Sequence, residues 1–274
     1  MGVRLEIIED QFSKYTTNQH ELSILVGVDS LSYMVTNPQH HVLLLRECTL
    51  AGTPLSDFFL QDEYLRLSYQ RVKAAISSPV FTFVPTRLYN PAERRAYLQQ
   101  VATLTDDMDA RADDLPTVKA TNVYAIERNR LDTIRKFASS GKIFHAATSL
   151  LQHLLLINEK KGKRLFIHVY EGKLTLLLLE NAHLLFVNEF SYKSAKDFLY
   201  YVMLVFEQFK LAPEEVPACA TGQLVENSEV FQMVKRYIYR LEMLSLPPFL
   251  HFSEKWQQHQ PHFFADLFGL AQCK

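Results

Sequence analysis

Two stretches of this chain lie over one another without a gap. LSILVGVDSLSYMVTNPQHHVLLLREC begins at Leu22, LFIHVYEGKLTLLLLENAHLLFVNEF begins at Leu165, and the shift between them is 143 residues. Ile24 then falls on Ile167, Val26 on Val169 and Leu31 on Leu174, while Val42, Leu43 and Leu44 fall on Leu185, Phe186 and Val187. Each stretch reads as strand, tight turn, strand, turn, strand. The turns are expected at Asp29-Ser30 and Asn37-Pro38-Gln39 in the first, and at Glu171-Gly172-Lys173 and Glu180-Asn181-Ala182 in the second. Gly, Asn, Asp and Pro are the residues such turns demand. A duplicated apolar meander cannot stay exposed, so the segments C-terminal to each copy must cover it.

Those covering segments repeat as well. Ser56 is a candidate cap for a helix carrying Leu65, Tyr69, Val72 and Ile76 at spacings of 4, 3 and 4. Ser194, with Asp197 three residues on, caps a second helix whose apolar face is Phe198, Val202, Val205 and Phe209. A buried strand is expected next in each half, at Pro79–Pro85 and Val216–Thr221. A further helix comes after it, over Ala92–Leu104 and Ser228–Arg240. Between the halves lie a strand (Val123–Glu127), a helix (Arg128–Ala138) stopped by Gly141, a short strand (Ile143–His145) and a helix (Ala146–Ile157).

The length of 274 residues suits two domains of ordinary size. Apolar content of 48% and charged content of 22% argue for a globular chain and against disorder. A net charge of −1 offers no basic field, so nucleic acid is not an expected partner. Cys48, Cys219 and Cys273 are too few and too scattered for a disulfide framework or a zinc ligand set, which suits a reducing compartment. The N-terminal residues lack the apolar core of a signal peptide, and Glu6 occupies the Ser/Thr position of a myristoylation pattern. No run reaches the roughly 18 uncharged apolar residues that span a bilayer. The expectation is a cytoplasmic protein with no membrane insertion.

Three antiparallel strands succeeded by alternating helices and strands resemble the ribonuclease-H-like unit. Two of them in tandem resemble the actin-like ATPase superfamily, with its chaperones, sugar kinases and bacterial actin homologues. Within it the chain resembles the pilus-assembly members and a bacterial domain family of unknown function. The likeness covers roughly residues 20 to 270, and PHFFADLFGLA (Pro261–Ala271) is similar to the closing helix of the pilus type. The resemblance implies an α/β fold of two ribonuclease-H-like lobes, 1–158 and 159–274. The helix at about 261–271 could return to the first lobe.

The resemblance also implies three nucleotide loops, and each departs from its pattern. The first should carry Asp-x-Gly at the first hairpin. Gly27-Val28-Asp29-Ser30-Leu31-Ser32 keeps the acid and the hydroxyls but has Leu31 where Gly is expected, and a Leu side chain is expected to fill the space through which backbone N–H groups approach a phosphate. The second should repeat Asp-x-Gly. His168-Val169-Tyr170-Glu171-Gly172 offers Glu171 as its only carboxylate. The adenosine loop should be Gly-Gly, and Ala220-Thr221-Gly222-Gln223 has one glycine. Phosphoryl transfer needs cradled phosphates, a held metal and an oriented nucleophile. The leading expectation is therefore a non-enzymatic scaffold or interaction protein with a protein partner, no cofactor, and no catalytic or metal residue assigned. The alternative is an ATP-binding protein, or a weak ATPase or kinase, with ATP and Mg²⁺ lined by Asp29, Ser30, Ser32, Glu171 and Gly222.

Other clusters carry weaker signals. His251, His259 and His262 near Glu254 have no metal-ligand spacing and read as surface and packing residues. Thr105–Asp114 lacks the Gly and Glu of an EF-hand and reads as a solvated acidic loop. Glu159–Arg164 reads as an exposed basic linker, and His145 and His168 as strand histidines without a partner at catalytic spacing. YIYRLEM (Tyr237–Met243) could form a sticky edge.

Overall fold

The computed structural model describes residues 2–138, 141–158 and 162–274. The chain forms two compact units. The first comprises Met1–Leu154, Pro247–His259 and Asp266–Lys274, and the second Leu155–Leu246 and Gln260–Ala265.

In the first unit, β1 (Gly2–Ile8), β2 (Glu21–Val26), β3 (Ser30–Thr36) and β4 (Val42–Thr49) precede a short helix, α1 (Leu55–Gln61). Then come β5 (Arg71–Ile76), β6 (Phe81–Pro85), α2 (Arg94–Gln99), β7 (Met108–Leu115) and β8 (Ala120–Glu127). α3 (Arg128–Phe137), β9 (Lys142–His145) and α4 (Ala146–Ile157) complete the series. The main sheet runs β1-β4-β3-β2-β5-β9. Its β2, β3 and β4 form the antiparallel meander, and β5 pairs with β2 in parallel from Glu21↔Arg71 to Val26↔Ile76.

The second unit contains, in chain order, β10 (Lys163–Tyr170), β11 (Lys173–Glu180), β12 (His183–Ser191), α5 (Ala195–Gln208), β13 (Ala218–Gly222), α6 (Glu229–Lys235) and β14 (Leu241–Met243). The sheet runs β12-β11-β10-β13-β14, with β13 parallel to β10. Strand for strand this is the order β4-β3-β2-β5-β9, so the duplication in the sequence is a duplication of topology. The last helix is α7 (Ala265–Leu270).

Alternation explains which residues are buried. Leu22, Ile24, Val26, Leu31, Tyr33 and Val35 share one face, against Phe58 and Phe59 of α1 and Leu131 and Ile134 of α3. In the second unit Leu165, Ile167, Val169, Leu174, Leu176 and Leu178 face Phe198, Val202 and Val205 of α5, together with Phe231 and Val234 of α6. Ser194 caps α5, its Oγ accepting from Asp197 N–H at 3.1 Å. The Asp197 carboxylate returns to Lys193 N–H, one residue earlier than a strict capping box. Ser228 caps α6 in the same way through Phe231 N–H, and α6 ends at Lys235 rather than Arg240.

Several first-half expectations are corrected. The helix with Leu65, Tyr69, Val72 and Ile76 does not form. α1 ends at Gln61, its N-cap is Pro54 rather than Ser56, and Val72 and Ile76 lie on strand β5. The 4-3-4 spacing arises because a loop and a strand feed the same core, with Leu65, Tyr69, Val72 and Ile76 all packed there. Phe81–Pro85 is a strand, but it belongs to a separate three-stranded sheet, β6-β8-β7. The acidic stretch is no loop: Met108–Leu115 is β7, with Met108, Ala110 and Ala112 packed beside Leu98 of α2 and Val123 of β8. Its alternation is real but made of small residues. Of the basic stretch, residues 159–161 lie outside the described residues. Arg164 is a buried member of β10, ion-paired to Glu242 of β14, and no part of a linker.

A buried polar cluster ties the three-stranded sheet to β9 and α4. Asp113 of β7 accepts from Tyr124 Oη at 2.9 Å and from His145 N–H at 2.7 Å. Asn122 Nδ2 donates to Thr148 Oγ1 at 2.9 Å. Burial pushes the Asp113 carboxyl up to about 6, against the opposing pull of the His145 N–H, the Thr148 and Tyr124 hydroxyls and the Arg111 charge. Burial pushes His145 down to about 4; its Nε2 lies 3.0 Å from Ser78 O and its Nδ1 accepts from Ala147 N–H at 3.1 Å. A neutral imidazole donating from Nε2 satisfies both contacts.

The two groups act on stability with opposite sign. Asp113, raised from 3.8 to about 6, contributes stability that is full below pH 3.8 and lost as pH rises through 6. His145, lowered from 6.5 to about 4, contributes stability that is full above pH 6.5 and lost as pH falls through 4. Asp113→Asn removes the first and leaves the second. Thermal melts between pH 6.5 and 4 are expected to show the variant losing about 3 kcal/mol more than wild type over that range, from roughly two pH units at 1.4 kcal/mol each. Parallel pH profiles for the two proteins would contradict this assignment.

Candidate functional site

The first hairpin turn spans Gly27–Asp29, between β2 and β3. Gly27 N–H donates to Ser30 O at 2.9 Å, which closes the turn. The Arg130 guanidinium, from the first turn of α3, donates to Gly27 O and, at 3.4 Å, to Val26 O. Asp29 is exposed, and its backbone oxygen accepts from Leu50 N–H at 2.8 Å. Ser30 and Ser32 are buried inside β3. Leu31 differs from the sequence expectation: it pairs with Val26 and Cys48 and points into the core, so its side chain does not fill the space at the turn. The three predicted residues thus share one hairpin, with only Asp29 at its surface.

The second turn is Glu171-Gly172, with φ of 46° and 72°. A two-residue turn with both φ positive matches the twist of the strands it joins, and Gly172 meets that demand without strain. Gln223, just past β13, locks the turn from the side. Its Oε1 accepts from Glu171 N–H at 3.0 Å, and its own N–H donates to Val169 O at 2.6 Å. Gly222 is there because nothing larger fits. Its φ is +76°, and a Cβ would sit 2.0 Å from Val169 O. Glu171 and Gly222 are therefore brought together in the second unit, while Asp29, Ser30 and Ser32 belong to the first.

A polar row crosses the second sheet beside this turn. The register aligns Thr221, His168, Thr175 and Glu189 across β13, β10, β11 and β12. The Glu189 carboxyl is held above the usual range by burial, with Lys173, His168 and the Thr175 hydroxyl pulling the other way. Thr221 Oγ1 donates to His262 O at 2.7 Å. Sequence reading does not find Arg130, Thr175 or Glu189, and it meets Gln223 only as a departure from Gly-Gly. Only the strand register, which no local pattern displays, reveals the row.

His145 and His262 have structural roles. His145 is fully occupied by the contacts above. His262 Nε2 lies 2.8 Å from Leu224 O, and burial pushes its pKa down. Among the described residues, no group of three or more His, Cys, Asp and Glu could hold a metal ion, and no helix is long and apolar enough to cross a membrane. Cys48, Cys219 and Cys273 are buried, and none of them forms a disulfide.

The geometry around Gly222 makes a direct prediction. Gly222→Ala places a Cβ against backbone that cannot yield, at a positive φ, and is expected to destabilise the protein by at least about 2 kcal/mol. Urea unfolding measures this, and a change below about 0.5 kcal/mol would show that the loop relaxes freely.

The fold has solved counterparts. A protein of Bacteroides thetaiotaomicron, described as having an actin-like ATPase fold and unknown function, is similar over 96% of this chain and 100% of its own, with a TM-score of 0.80 and 18% identity. A structure titled PilM-PilN type IV pilus biogenesis complex is similar over 92% of this chain and 97% of its own (TM-score 0.62, 15% identity). The ethanolamine utilization protein EutJ of Carboxydothermus hydrogenoformans is similar over 92% and 90% (TM-score 0.50, 9% identity). No curated protein matches the chain. The fold is therefore the actin-like ATPase fold. Residues 9–241 match the family described as "Protein of unknown function (DUF3822)", and the chain belongs to that family.

Proposed function

We propose that the protein is a non-enzymatic scaffold that works through protein contacts. The observation that carries this reading is how the two hairpin turns use their backbone. A phosphate loop cradles its anion with backbone N–H groups. Here Gly27 N–H is taken by Ser30 O, and Glu171 N–H by the side chain of Gln223. Ser30 and Ser32 are buried in β3. The only carboxylate of the second turn is that of Glu171.

Two observations support a protein partner. A neighbour of the same fold is PilM, whose structure is that of a complex with PilN. In the second unit Tyr200, Tyr237 and Tyr239 are exposed while Ile238 between the last two is buried. Exposed tyrosines on an ordered scaffold are typical of contact surfaces. One observation favours nucleotide binding instead: Asp29 is exposed at the first turn, where Arg130 also arrives.

Thermal melts with millimolar ATP, ADP or GTP and Mg²⁺ separate the two readings. The scaffold reading expects an unchanged Tm. A nucleotide present at a hundred times its Kd would stabilise the fold by about 2.7 kcal/mol, and a saturable rise of that kind would overturn the scaffold reading. A Tyr237→Ser/Tyr239→Ser double variant is expected to melt within about 0.5 kcal/mol of wild type. It is also expected to lose the partner that wild type retains on native affinity purification. Equal recovery of that partner by both proteins would remove this surface from the proposal.

A further inference from the structure

We propose that His41 and His251 form a bidentate site for a divalent late transition-metal ion, with Zn²⁺ as the natural occupant. The two residues are 210 positions apart in the sequence. They are brought side by side because the segment Pro247–His259 docks along the β3–β4 hairpin. His251 N–H donates to His40 O at 2.9 Å and Val42 N–H donates to His251 O at 3.0 Å, a parallel bridge between residues 41 and 251. Both side chains are exposed, and their ring centroids are 5.0 Å apart with the planes at 73°. Among the described residues, neither ring forms a hydrogen bond.

That spacing fits shared ligation. Zinc sits about 2.1 Å from an imidazole nitrogen, hence about 3.2 Å from the ring centre, and a near-tetrahedral angle places two ligating rings about 5.2 Å apart. Exposed imidazoles rotate about their terminal torsion at little cost, so a nitrogen of each can be turned to the shared point. Imidazole suits Zn²⁺, Ni²⁺ and Cu²⁺ and disfavours Mg²⁺ and Ca²⁺. The rings border an open cavity of about 240 Å³, also lined by Glu9, Gln11 and Ser253, with room for water to complete the coordination. Among the described residues Glu9 does not complete a group of three ligands, and its Oε1 accepts from Ser253 Oγ at 2.7 Å and from Trp256 Nε1 at 3.1 Å. Its charge still favours a cation in the cavity. The nearby Lys255 ammonium is held by Asp10 at 2.7 Å. Bound metal would pin the docked segment to the hairpin, and because only the folded chain presents both rings, it would raise Tm.

The test uses the untagged full chain and ZnCl₂. Isothermal titration is expected to give one saturable Zn²⁺ per chain, with a matching rise in Tm. His41→Asn and His251→Asn are each expected to weaken binding by more than about tenfold, since loss of even an outer partner of a ligand costs 10- to 100-fold. His183→Asn, an exposed histidine of the other unit, is expected to bind as wild type. In wild-type protein the imidazole NMR signals of residues 41 and 251 are expected to shift together on Zn²⁺ addition, a readout that does not depend on the variants folding. Absence of saturable binding, wild-type affinity in either His41→Asn or His251→Asn, or unmoved signals at these two rings would each overturn the proposal.

Discussion

The parallel strand beside each meander sets up everything else in this molecule. In the second unit β13 runs alongside β10, and Gln223 N–H, just past its end, donates to Val169 O. In the first unit β5 runs alongside β2, and Ser77 N–H donates to Val26 O in the same way. A parallel strand must leave the sheet at the same edge as the strand it accompanies. The chain leaving it is therefore delivered onto the hairpin turn. This is the edge at which open α/β sheets collect their functional loops.

The two units use that delivery differently. In the second, the loop after β13 comes so close that only Gly222 fits beside Val169, and Gln223 then occupies the Glu171 N–H. In the first, the turn is gripped through its carbonyls by Arg130 from α3. Both turns spend hydrogen-bonding capacity on the protein itself. Unmade hydrogen bonds in a packed turn are costly, so such engagement fixes the turns in place.

Legibility tracks the range of the forces involved. The meander, the Ser194 cap, and α4 from Ala146 to Ile157 are readable because turn chemistry, capping and periodicity act over a few residues. Reading fails at Leu65–Ile76, where a loop and a strand imitate a helical face. It fails again at Met108–Leu115, where a strand is built on alanines and its one buried carboxylate looks like solvated charge. Asp113 is tolerated there because Tyr124 and His145, neither of them near it in sequence, donate to it. Among the predicted loop residues, Asp29 is a turn residue, as its local sequence implies. Leu31, expected as an obstacle at the turn, is instead a core residue, because strand alternation turns it inward.

By itself the sequence determined that this chain folds as a repeated β-meander joined to helices and strands. Local propensity and a shift of 143 residues suffice for that. Only the tertiary structure decided that the buried strand of the first half is Arg71–Ile76, that Gln223 closes over Glu171, and that His41 meets His251. Each depends on pairing between segments distant in the chain. Strand register is selected by burial of whole faces rather than by any short run of residues.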